Sequence, residues 1–193
     1  MEKEILNRIT FDEIYLQLAD LVSQRSTCKR LSVGCVIVTP DYKKVISLGY
    51  NGNASGLANN CDSDIPGNCG DLHAEENAII NCDSPRSLEK IVYITHSPCL
   101  MCSKRFINLG NVKAIYFKNE YRDTSHLKML KDVGINCESI YSKWMNDWVD
   151  YWHDKSGTEN MCEFFYQKFR IDEKTFNIWR DTGKINIAIP PPP

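Results

Sequence analysis

Ile91-Val92-Tyr93-Ile94-Thr95-His96-Ser97-Pro98-Cys99-Leu100-Met101-Cys102 is the stretch that decides the fold. Its first five residues are β-branched or aromatic, the composition of a buried strand. Beyond Pro98 the pattern changes to an amphipathic period over residues 99–109 and stops at Gly110. Pro98 suits a helix start and Gly110 a helix end, so the segment reads as a strand feeding a helix across a short turn. Cys99 and Cys102 stand three apart, which predicts both sulfurs on one face of the first helical turn. The partial positive charge of a helix N-terminus favours thiolate at that place.

Working outward, residues 73–81 carry Ala74, Ala78, Ile79 and Ile80 in a helical distribution, with His73 and Glu75 in the first turn. Ile14, Leu18, Leu21 and Val22 form one face of an earlier helix. Residues 33–38 and 45–48 read as strands joined around Pro40-Asp41. Downstream come a strand at 112–117, a helix at 125–133 and a strand at 135–140. This alternation predicts an α/β fold with a mainly parallel sheet and helices on both faces. Catalytic loops collect at the carboxyl ends of such strands, where both motifs fall.

The bulk composition fits one enzyme domain with an appended tail. The chain has 193 residues, 42% hydrophobic and 25% charged, with a formal net charge of −2. That length can bury a full core. No apolar run approaches the roughly 20 residues of a membrane span, and Met1-Glu2-Lys3-Glu4 lacks a signal-peptide pattern. We therefore expect no membrane association and a cytoplasmic location. Nine cysteines, an odd number in clusters, point to metal sites and free thiols rather than a disulfide framework. Cys35, Cys82, Cys137 and Cys162 read as core or surface thiols.

His73, Cys99 and Cys102 supply three ligands for zinc and leave one coordination position open, the requirement of a catalytic rather than a structural site. Glu75 is then free for acid/base work. A structural zinc knuckle is the plainer alternative, but it would need a fourth protein ligand. The order H-x-E followed by P-C-x-x-C resembles the signature of zinc-dependent nucleobase deaminases. In that chemistry the metal brings the pKa of water to about 7 for attack on an amidine-like ring carbon. The glutamate carries protons, a role worth about 10² to 10⁴ in rate.

Further motifs narrow the resemblance. Arg25-Ser26-Thr27-Cys28, Leu31-Ser32-Val33-Gly34 and Gly49-Tyr50-Asn51-Gly52 precede His73-Ala74-Glu75 and Ser97-Pro98-Cys99. Together, in this order, they resemble the deoxycytidylate deaminase family over residues 14–140. The resemblance implies a cytidine-deaminase-like three-layer α/β/α sandwich with a five-stranded mixed sheet, here in residues 1–141. It also implies a zinc-dependent hydrolase that converts dCMP to dUMP and ammonia, supplying dUMP for thymidylate synthesis. Homo-oligomers, often hexamers, and control by dCTP as activator and dTTP as inhibitor come with the family, Mg2+ accompanying the triphosphate.

Carried over residue by residue, the resemblance assigns Asn51 to hydrogen bonds with the sugar or pyrimidine, since its amide both donates and accepts. Arg25 and Ser26 match the segment that meets the nucleotide phosphate, and Tyr121 a tyrosine near the substrate, with Arg122 its neighbour. Ala74, between the two motif residues, joins the substrate-binding set. Asn51, Gly52, Asn53 and Gly56 correspond to the loop that holds the regulatory triphosphate. Cys28, Cys61 and Cys69 match cysteines of a second, structural zinc. That site would need a fourth ligand from Asp62, Asp64, Asp71 or His96; otherwise these are three free thiols.

Residues 142–193 lie outside the resemblance and read as a helical C-terminal extension. Trp144, Trp148, Tyr151 and Trp152 have helical spacing, residues 162–185 read as two helices around Ile171-Asp172-Glu173-Lys174, and Pro190 to Pro193 form an extended end. Acidic and basic residues nearly balance there, so the footprint of a nucleic-acid partner is missing. Two other readings share the zinc motifs. One is a deaminase acting on tRNA or single-stranded nucleic acid, which the net charge of −2 disfavours. The other is a non-enzymatic, zinc-stabilised nucleotide sensor, for which an altered Glu75 would be expected.

Overall fold

The alternation of strand and helix persists along the chain, and the elements follow the changes of hydrophobic period. In the computed structural model they are α1 (Phe11–Ser23), β1 (Gly34–Val38), β2 (Val45–Tyr50), α2 (Ala74–Ile80), β3 (Lys90–His96) and α3 (Leu100–Leu109). There follow β4 (Val112–Asn119), α4 (Leu127–Asp132), β5 (Asn136–Ser139), α5 (Ile140–Lys155) and α6 (Glu173–Thr182). The structure describes residues 9–63, 65, 69–155, 161, 165, 166 and 171–182. Cys162 and the terminal prolines lie outside the described residues.

Five strands form one sheet in the order β2-β1-β3-β4-β5. β1 runs antiparallel to both β2 and β3, whereas β3 and β4 are parallel. The sheet is therefore mixed, and the expectation of mainly parallel pairing is corrected. The cause is local. The connection around Pro40-Asp41 is of hairpin length, closed by a Tyr42 N–H bond to the Thr39 carbonyl at 2.9 Å, and cannot make a crossover. Between β3 and β4 the chain passes through α3, the crossover that parallel pairing requires.

Alternate residues of the sheet serve two layers. Cys35, Ile37, Val92, Ile94, Ile115 and Phe117 join Ala74, Ala78, Phe106 and Leu130 in one buried cluster, so α2, α3 and α4 cover this face. Burying a large apolar side chain of this kind contributes roughly 1.5–3 kcal/mol. On the other face α1 is docked: Tyr93 donates its hydroxyl hydrogen bond to Asp12, and its ring lies 5.5 Å from that of Tyr15. This gives the α/β/α layering.

Two features fix where α2 sits. On β2, Ser47 donates to the Ala78 carbonyl at 2.8 Å, and Gly49 lies so close that an added Cβ would meet the Ala74 oxygen at 2.3 Å. Small side chains on β2 thus let α2 rest almost on the backbone. At the opposite end of the sheet Lys90 is fully buried, its ammonium donating to the carbonyls of Pro85, Leu88 and Gly110 at 3.0, 2.7 and 3.3 Å. It clasps the turn before β3 to the end of α3, where Gly110 takes the positive φ of 87°.

The chain divides into two compact units, one over Phe11–Cys137 and the other taking the described residues from Glu138 onward. In the second, Trp144 and Trp148 on α5 and Phe176 and Trp179 on α6 are buried. Phe176 lies between Phe165 and Trp179, at ring separations of 5.4 and 5.5 Å. The side chains of Tyr151 and Trp152 lie outside the described residues. Among the described residues, no helix is long and apolar enough to cross a membrane.

Candidate active site

Both ligand-bearing helices open on a ligand. His73 is the residue before α2 and Cys99 the residue before α3, each extended, with φ −71° and ψ 154° or 169°. Neither side chain caps its own helix. The expectation of first-turn positions is corrected by one step: His73 and Cys99 stand at the helix boundary, and Pro98 lies outside. The extended backbone there turns imidazole and thiol away from the helix amides and toward each other. Cys102 and Glu75 are inside their helices, and Glu75 is buried at 5% exposure.

His73 Nδ1 lies 3.6 Å from Cys99 Sγ and 3.4 Å from Cys102 Sγ. A tetrahedral zinc with ordinary bond lengths would set each nitrogen–sulfur edge at about 3.5 Å. The three donors therefore fit zinc in spacing as well as chemistry. All three ligand atoms lie within 4.8 Å of one another.

The charges of the group agree. Hydrogen bonding from Cys102 and then from His73 holds the Cys99 thiol down at about 3, as a thiolate. The Cys102 thiol is pushed up by its bond to Cys99 and by burial. His73 is raised by its bond to Cys99. Glu75 is pushed up to about 7, chiefly by burial, which disfavours the carboxylate.

His73, Cys99 and Glu75 line a cavity of about 500 Å³. Asn51, Ala74, His96, Ser97, Tyr121 and Arg122 share the lining, as do Cys28, Arg30, Cys69 and Asp71. A cavity of that size takes a nucleotide-sized ligand. It opens beyond the carboxyl end of β3, where the strand hands over to the Ser97-Pro98-Cys99 turn.

The profile of the cytidine and deoxycytidylate deaminase zinc-binding region matches residues 9–118, more than half of the chain. The chain belongs to this family of zinc-dependent hydrolases. It is 34% identical over 143 residues to ComE operon protein 2 of Bacillus subtilis, covering 70% of this chain and 74% of that protein. It is 35% identical over 147 residues to the deoxycytidylate deaminase of Saccharomyces cerevisiae, covering 70% of this chain but 46% of the yeast protein. The solved structure of dCMP deaminase from the cyanophage S-TIM5, in complex with dCMP and dUMP, is similar at a TM-score of 0.59 and 34% identity. That similarity covers 69% of this chain and all of the phage chain, 100%.

Other expected site residues of this deaminase are placed unevenly. Asn51 is buried and spends one acceptor and one donor on backbone, accepting from Val33 N–H and donating to the Leu31 carbonyl, both at 2.8 Å. Its amide retains one N–H and one lone pair. Arg25 and Ser26 do not line the cavity. Arg25 lies over the Tyr50 ring at 6.0 Å, and the Ser26 hydroxyl accepts from Cys28 N–H at 3.2 Å. The arginines of the lining are Arg122 and Arg30, which sequence reasoning passed over. Its one signal there was proximity to Cys28. The Arg30 guanidinium donates to the Ile65 carbonyl at 2.8 Å and the Ser63 carbonyl at 3.4 Å.

Asn53 folds onto its own loop, donating to the Ala58 carbonyl at 2.9 Å, while Gly56 turns with φ 89°. Cys28, Cys69 and Asp71 bring one ligand atom each within 4.8 Å of one another. Cys61 lies outside this group, whose third member is Asp71. Asp62 N–H bonds the Cys69 carbonyl at 2.8 Å, and the Asp62 carboxylate fills the space beside Gly70. Asp71 Oδ2 is buried without a hydrogen-bond partner among the described residues.

Proposed function

We propose that this protein hydrolyses dCMP to dUMP and ammonia, supplying dUMP for thymidylate synthesis. The observation that carries the reading is Glu75, buried beside a zinc-competent His73-Cys99-Cys102 cluster in the lining of a nucleotide-sized cavity. Similarity to deoxycytidylate deaminases supports the choice of substrate. Bound zinc supplies the Lewis acidity that makes water a usable nucleophile near neutral pH. Glu75 takes one proton of the attacking water and passes it to the ring nitrogen, then takes the second from the added hydroxyl and passes it to the amino group, which leaves as ammonia. A new bond forms from the water oxygen to the ring carbon, and the bond from that carbon to its amino group breaks. Burial prepares Glu75 for this traffic, because a carboxyl near neutrality gives and accepts a proton with equal ease.

Asn51 has a free donor and acceptor for sugar or base, and Tyr121 offers a ring on the opposite part of the lining. Arg122 fits the phosphate, since a planar guanidinium can bind two oxygens. Cys28, Cys69 and Asp71 are proposed to hold a second zinc, whose charge would satisfy the buried Asp71 oxygen. Control by dCTP and dTTP with Mg2+, acting at Asn51, Gly52, Asn53 and Gly56, is part of the proposal, as are a hexamer and a cytoplasmic location.

The test is ammonia release from the zinc-loaded protein with dCMP, deoxycytidine, cytidine, dCTP and tRNA in parallel. The expected result is the highest kcat/KM for dCMP. Equal use of deoxycytidine would refute the role given to the phosphate, and turnover of tRNA alone would overturn the substrate class.

A further inference from the structure

The segment between β4 and α4 carries two cavity-lining side chains, Tyr121 and Arg122. It is tied to the Ser97-Pro98-Cys99 turn at three points. Ser97 N–H donates to the Asn119 carbonyl at 2.8 Å, and Tyr121 N–H donates to the Ser97 hydroxyl at 2.8 Å. At the far end of the segment His126 Nε2 donates to the Pro98 carbonyl at 2.8 Å. This donor needs no choice of tautomer. A carbonyl oxygen only accepts, so Nε2 carries hydrogen whether the ring is neutral or charged.

The Pro98 carbonyl belongs to the same rigid peptide unit as Cys99 N–H. Holding that oxygen therefore holds the plane from which Cys99 enters α3. The first two bonds pin only the start of the segment. Among the described residues, His126 supplies the bond that ties the end of the segment to that turn.

We infer that His126 is a positioning residue that couples the Tyr121–Arg122 wall of the cavity to the turn bearing the metal ligand Cys99. The imidazole is not among the cavity-lining groups and belongs to neither metal cluster. It acts through the Pro98 carbonyl, so that substrate wall and ligand turn move as one body.

His126→Leu removes the donor and keeps an apolar side chain. His126→Gln restores an N–H the same number of bonds from Cβ. The variants are compared as zinc-loaded full chains in three measurements: hydrogen exchange of residues 119–126, the rate of zinc loss to a chelator, and kcat and KM for dCMP. One such bond is worth a roughly 2- to 13-fold shift in a local opening equilibrium. In His126→Leu the amides of residues 122–126 should exchange faster by that factor, and zinc should leave faster. KM should rise more than kcat falls, while His126→Gln stays near wild type.

Wild-type exchange and zinc loss in His126→Leu would overturn the coupling. So would a Gln variant as impaired as the Leu variant, since the ring would then act by shape alone. If His126→Leu does not fold, His126→Asn replaces it, its amide being one bond too short to reach the carbonyl. Only the KM measurement rests on the dCMP reading. Exchange and zinc loss need no substrate, so failure of that reading leaves them interpretable.

Discussion

Replacing Gly49 by alanine tests whether the place of the catalytic helix is set by close contact with β2. The added Cβ would lie 2.3 Å from the Ala74 oxygen, 2.4 Å from Ala78 N and 3.0 Å from Ala78 Cα. All are backbone atoms of α2, so no side chain can swing aside. Ordinary contact needs about 3.5 Å, so α2 must recede by about 1 Å. Overpacking of this kind costs about 1–3 kcal/mol, a fall of roughly 2–12 °C in Tm for a chain of this size. Because α2 carries Glu75 and begins at His73, a displacement of about 1 Å should also lower turnover on the order of 10²-fold.

Gly34→Ala is the matched control. Its Cβ would meet the Ala19 oxygen at 2.0 Å and Ser23 N at 2.8 Å, both on α1 across the sheet. It should cost at least as much stability, yet leave more turnover per folded molecule. Thermal unfolding, zinc content and kcat for dCMP, measured well below the lower Tm, separate the effects. The reasoning fails if Gly49→Ala keeps wild-type Tm and kcat, or if Gly34→Ala loses as much kcat as Gly49→Ala.

Glu75→Gln should bind zinc and fold but lose about 10² to 10⁴ in turnover, whereas Cys99→Ala should lose catalytic zinc itself because three protein ligands are the minimum; metal analysis beside activity distinguishes them. Elemental analysis should find two zinc ions per folded chain, reduced to one by Asp71→Ala and unchanged by Cys61→Ser; loss of the second ion in Cys61→Ser would contradict the ligand set. Lys90→Met should destabilise the fold by about 2 kcal/mol or more, since three carbonyls lose a charged donor, and denaturant unfolding reads this directly. Finally, dTTP with Mg2+ should shift the dCMP saturation curve by roughly 5- to 150-fold, with dCMP weakening dTTP binding in return; an unmoved curve, with no dTTP binding by calorimetry, would remove the proposed control.

The sequence by itself determined the local part of this protein. Hydrophobic period marked β3, α3 and α2, because strand and helix each bury one repeating set of side chains. The short Pro40-Asp41 connection also contained the antiparallel pairing that strand–helix alternation obscured. His-x-Glu and Pro-Cys-x-x-Cys marked three candidate ligands and a candidate proton carrier, since ligand chemistry is a property of residue type. Tertiary structure alone brought His73 within reach of two sulfurs on a different helix, and it alone buried Glu75 beside them. It also placed Arg30 in the cavity lining while Arg25 lay over Tyr50, grouped Asp71 rather than Cys61 with Cys28 and Cys69, and turned His126 onto the Pro98 carbonyl. These contacts join segments far apart in the chain, and their partners depend on loop closure and on which side of the sheet each helix packs. Residue spacing carries no record of either.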